Sequence, residues 1–438
     1  MNELVLFIEK KLRIDKIGIL YLSSVLKEAG YDVDMIQDDV DNAEEYILKY
    51  NPKYIMYSVM SGEHMWYINR NRELKQKFNF VSVMGGPHFT FFPEQGIEDP
   101  AVDYVVQGPG ENVILDIVRG TAKEKFLIGN LPNVESIPHP DRAILYKYDE
   151  FGKATMKRFI AARYCYFSCK YCFNHIYRRL YKDQKWELQQ RVSPKKIVEE
   201  ILIVKNNYPL EMVYFNDDDF PADPVWLNEF CALYKEKINL PFCGSMRAVS
   251  VTEEMVQQLA DAGCTFMNMA IESANRDTQI YLRRAWVDNE RMEIACNWCK
   301  KYGIKVRLQN MIGLPVDDPM KDALDTLEFN LKVNPTDSWA SIFQPFGKTD
   351  IWYDCVKKGL IDESTQSVNF YEGTQLKIAD AEKINRLHKW WFFIVKHQLP
   401  MELVRILLEL PLTDAQKDAI QKFRWNEARY LLYGMKDE

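Results

Sequence analysis

The first 110 residues alternate between short apolar runs and amphipathic stretches. Leu4-Val5-Leu6-Phe7-Ile8 is apolar throughout, the composition of a parallel strand covered on both faces. A helical periodicity follows over residues 18–29 and closes at Gly30. Further strands are predicted at 33–36, 53–59, 80–84 and 103–106, with helices over 42–50 and opening at Gly110. Strands separated by helices predict βαβ units, and so an open, doubly wound parallel sheet: a Rossmann-like α/β domain over residues 1–120. Ligands of such sheets bind beyond the carboxyl ends of the strands. That singles out residues 9–18, residues 60–65 with Ser61 and His64, Gly85-Gly86-Pro87-His88, and Gly108-Pro109-Gly110-Glu111. Glycines there let backbone approach a ligand, although a tight turn uses them equally. His64 and His88 are either ligand contacts or polar groups at a domain edge.

Residues 121–155 carry Pro132, Pro138 and Pro140 and few apolar runs, the composition of a linker. Strand and helix patterns then alternate again. Strands are predicted at 212–216, 241–246, 265–271, 306–311 and 340–343, and helices at 194–206, with Ser193 as N-cap, and 252–262. This predicts a partial (β/α)6 barrel over residues 156–362, with functional residues at the carboxyl ends of its strands. Those ends carry Asp217-Asp218-Asp219, Arg247, Glu272-Ser273 and Gly313-Leu314-Pro315. Three adjacent carboxylates repel one another, so a solvated turn is the plain reading of Asp219. Residues 363–438 read as an α-helical C-terminal domain, where the run Trp390-Trp391-Phe392-Phe393-Ile394 is core material before it is a substrate cage.

The barrel opens on Cys165, Cys169 and Cys172, spaced C-x3-C-x2-C among aromatics. Thiolates three and four residues apart on a compact loop can converge on three corners of an iron–sulfur cube. No fourth cysteine is near, so one iron is left for a non-protein ligand. The alternatives are three buried thiols, or a zinc site completed by His175. All nine cysteines lie at or after Cys165, which is not how a disulfide framework is distributed; a reducing compartment keeps such thiols free for metal. Cys296 and Cys299 fall on a helical pattern and read as core thiols, an auxiliary cluster or redox role being the alternative.

With Tyr171 just before its last cysteine, the motif resembles the signature of radical S-adenosylmethionine (SAM) enzymes. Together with the glycine-bearing loops ahead of it, the chain resembles the cobalamin-dependent members of that family over residues 1–360. The resemblance implies a [4Fe-4S] cluster on Cys165, Cys169 and Cys172, with SAM on its open iron. It implies Tyr171 near the adenine, Asp217 or Asp218 on the SAM ammonium, and Arg247 on its carboxylate, with Arg307 the second choice. Glu272 with Ser273 falls to the ribose, and Gly313 to backbone near the adenine. Cobalamin falls to Ser61, His64, Gly85, Gly86, Pro87, His88, Gly108, Gly110 and Glu111. The chain departs from the family in three places. Residues 10–16 replace a proline-rich loop, Gly-Pro-Gly-Glu replaces the commoner Gly-Glu-Gly-Glu, and Ala270 replaces a glycine. A D-x-H-x-x-G motif is absent, so no histidine from that motif would reach the cobalt.

The implied activity is reductive SAM cleavage to a 5′-deoxyadenosyl radical, used with cobalamin to methylate a carbon of a small-molecule or natural-product substrate. A radical cyclisation or rearrangement without methyl transfer is the enzymatic alternative, and a corrinoid or iron–sulfur carrier the alternative from another class. A reductant such as flavodoxin or ferredoxin is the implied partner. The net charge of −7 argues against nucleic acid. No apolar stretch reaches the roughly eighteen residues a membrane span needs, and the N-terminus lacks a basic-then-apolar signal, so a cytoplasmic enzyme is expected.

Overall fold

A computed structural model describes residues 3–182, 190–365 and 373–433. The chain forms two compact units: Met1–Phe159 with Tyr177–Glu187 and Glu199–Glu211, and Ile160–Ile176 with Leu188–Val198 and Met212–Glu438.

In the first unit the apolar runs become strands. These are β1 (Leu4–Glu9), β2 (Asp32–Gln37), β3 (Tyr54–Ser58), β4 (Val81–Gly85), β5 (Tyr104–Gln107) and β6 (Phe126–Ile128). They form one parallel sheet in the order β2-β1-β3-β4-β5-β6. The order reverses at β1, which puts a topological switch point, the usual ligand crevice of such sheets, beyond the carboxyl ends of β1 and β3. Helices Ile17–Glu28, Ala43–Tyr50 and His64–Lys77 accompany the sheet. Asn42 caps the second by accepting from Glu45 N at 3.4 Å. Leu6, Ile8, Ile36, Ile55, Tyr57, Ile68, Leu74 and Val105 make the core.

Two details differ from the sequence reading. The helix expected at Gly110 begins at Val113. The stretch 121–155 holds the sixth strand, β6, paired with β5 from Val105↔Phe126 to Gln107↔Ile128. Three residues at a sheet edge, none of them fully buried, leave no periodicity to read. The same stretch supplies Arg142, whose buried guanidinium donates to Glu200 at 2.6 Å and lies 3.7 Å from Asp15.

Strand β7 (Met156–Phe159) ends the first long segment. In the second unit β8 (Ala162–Arg163) pairs antiparallel with β9 (Gln190–Arg191). Then β10 (Met212–Phe215), β11 (Phe242–Ser245), β12 (Cys264–Glu272), β13 (Lys305–Ile312) and β14 (Asp337–Ile342) lie side by side and parallel, as a partial barrel requires. The helices between them start at side-chain caps: Asp223, Thr252, Asp288 and Asp318 each accept from a backbone N–H of the first turn. Residues 366–372 and 434–438 of the expected C-terminal region lie outside the described residues. The remainder forms helices Ala381–Lys396, Met401–Glu409 and Asp414–Tyr433. Trp391 and Ile394 pack on Ile312, Ala340 and Ile342, so that part of the aromatic run is core. Cys296 and Cys299 are buried on helix Asn289–Lys301, and burial pushes each thiol up to about 12.

His388 on helix Ala381–Lys396 gives a pH prediction. Burial, with the Arg424 and Lys389 cations nearby, pushes its imidazole down to about 3 from 6.5. Between those values the unfolded chain binds the proton and the folded chain does not, so the stability from this group is complete above pH 6.5 and is lost as pH falls toward 3. The slope is at most about 1.4 kcal/mol per pH unit. His388→Leu is expected to flatten the acid limb of a stability-versus-pH curve measured by denaturant midpoints; parallel curves for variant and wild type would contradict this.

Candidate active site

The cysteine loop leaves β8 through Tyr164, a non-glycine residue held at φ 65°. A left-handed residue at this point turns the chain sharply, and strained backbone of this kind concentrates at functional sites. Cys165 and Cys169 are buried and Cys172 partly so; Cys172 N donates to Cys169 O at 3.1 Å, keeping the loop compact. Lys170 fixes the loop by donating through its backbone N to Leu282 O at 3.0 Å and by an ion pair to Asp354. Burial raises the Cys165 thiol and pushes Cys172 up to about 12, so these sulfurs become thiolates only with a cation to stabilise them. Donors already point at all three: Arg247 Nη2 lies 2.6 Å from Cys165 Sγ, Arg284 Nη1 3.5 Å from Cys169 Sγ, and Asn174 Nδ2 3.7 Å from Cys172 Sγ. His175 is engaged elsewhere, Nδ1 with Cys169 O at 2.9 Å and Nε2 facing Asp350 at 3.5 Å. That removes the local fourth ligand a zinc site would use. Among the described residues no three His, Cys, Asp or Glu side chains converge on a single ion; cubane ligands instead sit on separate irons.

The strand ends bring further groups to this loop. Asp217, beyond β10, is buried; Oδ1 accepts from Ala162 N, while Oδ2 has no partner among the described residues. Burial first, then the neighbouring Asp218 carboxylate, holds Asp217 well above the usual carboxylate range. Asp218 stays exposed at its surface, yet enough protein surrounds it to raise it too, against a bond from Asn174. Asp219 is not a solvated residue: it is buried and accepts from Arg247 Nε at 2.9 Å, which is how the triplet avoids three free charges. Glu272 ends β12 at φ 64°, where the register to β13 slips between Ala270 and Glu272. The bulge and left-handed backbone re-aim its side chain, and Oε1 accepts from the Tyr171 hydroxyl at 2.8 Å.

Three further expected residues have partners within the protein. Ser273 is buried, and its hydroxyl donates to Asp322 Oδ1 at 2.6 Å and accepts from Asn275 N, so its side chain braces the turn after Glu272. Gly313 packs against the C-terminal region; a Cβ there would stand 3.3 Å from Ile384 Cγ2. Arg307 is bound to buried Asp337 at 2.5 Å, a pair that fixes β13 to β14. Sequence reasoning missed Arg284 and Trp286. Arg284 is buried and also donates to Tyr171 Oη at 3.1 Å and Ala270 O at 2.5 Å. The only trace in the sequence is an arginine pair beside a tryptophan, Arg283-Arg284-Ala285-Trp286.

In the first unit the expected crevice loops meet. Gly86, at φ 87°, lies so near the loop after β3 that a Cβ would be 2.6 Å from Val59 N. That close approach sets Pro87 at a helix start and lets His88 N donate to Val59 O at 2.8 Å. The His88 ring bonds Ser61 Oγ through Nδ1 and Gln95 Oε1 through Nε2, each at 3.1 Å, and stacks 4.0 Å from His64. His64 Nδ1 is buried without a partner among the described residues, and burial lowers its pKa. Gly108, at φ 81°, ends β5 beneath the Tyr181 hydroxyl, which occupies the place a Cβ would take; Gly110 packs on Leu22 and Glu111 is buried. Where the proline-rich loop is replaced, Lys16 ion-pairs with fully buried Glu9, donates to Ser58 O at 2.7 Å, and shares Glu9 with the Tyr67 hydroxyl at 2.7 Å.

The orphaned His64 imidazole nitrogen, at the helix start beyond the carboxyl end of β3, fits a large polar ligand there. Three thiols ringed by donors, with carboxylates at the neighbouring strand ends, fit a cluster whose remaining ligand carries an ammonium and hydroxyls. Residues 4–118 match the family of B12 binding domains and residues 159–329 the radical SAM superfamily. The chain belongs to the cobalamin-dependent radical SAM enzymes. Its cofactors are cobalamin, a [4Fe-4S] cluster and SAM. This radical SAM enzyme is 24% identical over 378 residues to an uncharacterized methyltransferase of Pyrococcus horikoshii, covering 79% of each chain. It is 23% identical over 386 residues to the anaerobic magnesium-protoporphyrin IX monomethyl ester cyclase of Rubrivivax gelatinosus, covering 77% of this chain and 65% of that one. Among solved structures it resembles the cobalamin-dependent SAM radical enzyme OxsB with aqua-cobalamin and SAM bound, at a TM-score of 0.71, 15% identity, and coverage of 100% and 74%. Among the described residues no helix of this radical SAM enzyme is long and apolar enough to cross a membrane.

Proposed function

We propose that this enzyme methylates a carbon centre of a small-molecule substrate, using SAM both as radical source and as methyl donor. The observation that carries the reading is the meeting of Cys165, Cys169 and Cys172 with Glu272, Asp217 and Arg247 in a chain that also has a B12 binding domain. When bound, the reduced cluster supplies the electron that splits SAM into methionine and a 5′-deoxyadenosyl radical, and cobalamin carries the methyl group.

The three cysteines are assigned to the cluster and Tyr171 to the adenine side. Asp217 is assigned to the SAM ammonium, with exposed Asp218 beside it. An opposite charge there would restore the carboxylate that burial disfavours, because the ion pair lowers the pKa that desolvation raised. Arg247 is the cation for the carboxylate of SAM, and Glu272 accepts from two ribose hydroxyls, for which it has acceptor capacity beside its bond from Tyr171. Gly313 contributes backbone near the adenine. In the first unit the loops of Ser61 and His64, of Gly85 to His88 and of Gly108 to Glu111 are assigned to cobalamin. A reductant such as flavodoxin or ferredoxin supplies the electrons.

The test is protein purified without oxygen from cells supplied with cobalamin, then incubated with deuteromethyl-SAM, reductant and a metabolite extract. About four irons and one cobalamin per chain are expected, together with 5′-deoxyadenosine, S-adenosylhomocysteine in excess of enzyme, and a product bearing the label on carbon. The cyclase relative supports a second reading, ring closure without methyl transfer. Deoxyadenosine without catalytic S-adenosylhomocysteine would favour it, and no SAM cleavage at all would point to a carrier.

A further inference from the structure

Two guanidiniums converge on the sulfurs of the cysteine loop. Arg284 Nη1 is 3.5 Å from Cys169 Sγ, and Arg247 Nη2 is 2.6 Å from Cys165 Sγ. Neither is a loose surface chain. Arg247 is anchored by Asp219 through Nε, and Arg284 by Tyr171 and the Ala270 carbonyl. One indole serves both: the Trp286 ring lies 4.8 Å from the Arg284 guanidinium and 5.0 Å from that of Arg247. Phe167, from the cysteine loop itself, packs 4.2 Å from Trp286 and 4.1 Å from Arg247. The brace thus ties the loop to the segment after β12 and sets both planar forks in place before any ligand arrives.

Arg284 is the more telling of the two. It is buried, and no carboxylate forms an ion pair with it among the described residues. A buried cation needs a counter-charge. The Glu272 carboxylate supplies part of it across the shared Tyr171 hydroxyl, and the Cys169 sulfur, in direct reach, is in place to supply more once it is a thiolate.

We propose that Arg284 and Arg247 are positioning residues that donate charge-assisted hydrogen bonds to the cluster thiolates of Cys169 and Cys165, and so raise the cluster's reduction potential. The electron added on reduction increases negative charge on the sulfurs, and a fixed positive donor stabilises that charge more than the oxidised state; cluster potentials follow net charge and hydrogen bonds to sulfur. The inference rests on the assignment of the cluster to these cysteines.

The test uses the full-length protein, loaded with iron and sulfide anaerobically and kept free of SAM. With arginine labelled in 15N, electron-nuclear double resonance on the reduced cluster is expected to show 15N couplings, part of which disappear in Arg284→Gln. Potentiometric titration is expected to find the Arg284→Gln midpoint more negative by at least a tenfold change in the reduction equilibrium, about 59 mV for one electron, with Arg284→Lys between it and wild type. A fully loaded native protein without 15N coupling would overturn the proposal, as would a fully loaded Arg284→Gln with the wild-type midpoint. If Arg284→Gln does not hold iron, the labelled native protein decides alone. Native protein that assembles no four-iron cluster would instead count against the cysteine assignment.

Discussion

Replacing Cys169 by alanine is expected to abolish both the cluster absorbance and 5′-deoxyadenosine formation, leaving SAM cleavage at the level of a protein-free control. Three cysteines hold three irons, so the loss of one leaves two protein ligands for a cube that also needs an open iron. Cys169 is the central one: its sulfur faces Arg284, while its carbonyl, kept in the variant, accepts from Cys172 N and meets His175. The backbone of the loop therefore has no reason to unfold. The metal-free variant should lie within about 2 kcal/mol of metal-free wild type in denaturant unfolding. Cys296→Ala is the control, because that buried helix thiol has no part in the loop; its iron content should match wild type. Absorbance and turnover surviving in Cys169→Ala would sink the cluster assignment.

How far the sequence reveals this site depends on how local each signal is. The cysteine spacing is contained in eight residues, and apolar strands betray where their carboxyl ends fall, so Asp217, Arg247 and Glu272 stand out from the order of residues alone. What the residues do there is tertiary. Asp219 reads as a solvated turn until Arg247 arrives from the next strand end to pair with it. Ser273 follows Glu272 directly, yet the bulge and turned backbone at Glu272 send the two side chains to different partners, Tyr171 and Asp322. Arg284 lies on no strand end and obeys no spacing; only the folded chain brings it to Cys169, 115 positions away. Strand β6 is invisible for a simpler reason: a three-residue edge strand carries too little apolar pattern to rise above its proline-rich surroundings. The glycine loops of the first unit are visible as loops, but Gly86 shows its necessity only when the neighbouring Val59 backbone is in place.

Replacing Lys16 by methionine is expected to destabilise the first unit by about 3–5 kcal/mol, since it strands the carboxylate of Glu9 in the interior without its cation. Glu9 is fully buried at the end of β1, and burial already raises its pKa despite Lys16 and the Tyr67 hydroxyl, which both favour the charged form. Without Lys16 the folded pKa rises further above the unfolded value of 4.5. The folded state then binds more protons than the unfolded one across that interval, so the variant's stability must fall as pH rises from 4.5 through the new pKa. Its deficit against wild type should be small in acid and full at neutral pH. Adding Glu9→Gln removes the stranded charge, so the double variant should recover most of the loss and have no such slope. Denaturant midpoints at two pH values measure all of this, and a Lys16→Met deficit independent of pH would show that packing of the lysine stem, not its charge, is what the fold uses. The pair also stands at the switch point, where Lys16 reaches Ser58 O and thereby joins the ends of β1 and β3. Cobalamin uptake by Lys16→Met should weaken together with stability, and recover with it in the double variant, if the network serves to hold the crevice open in shape; loss of uptake in a double variant of restored stability would mean that the charges themselves meet the ligand.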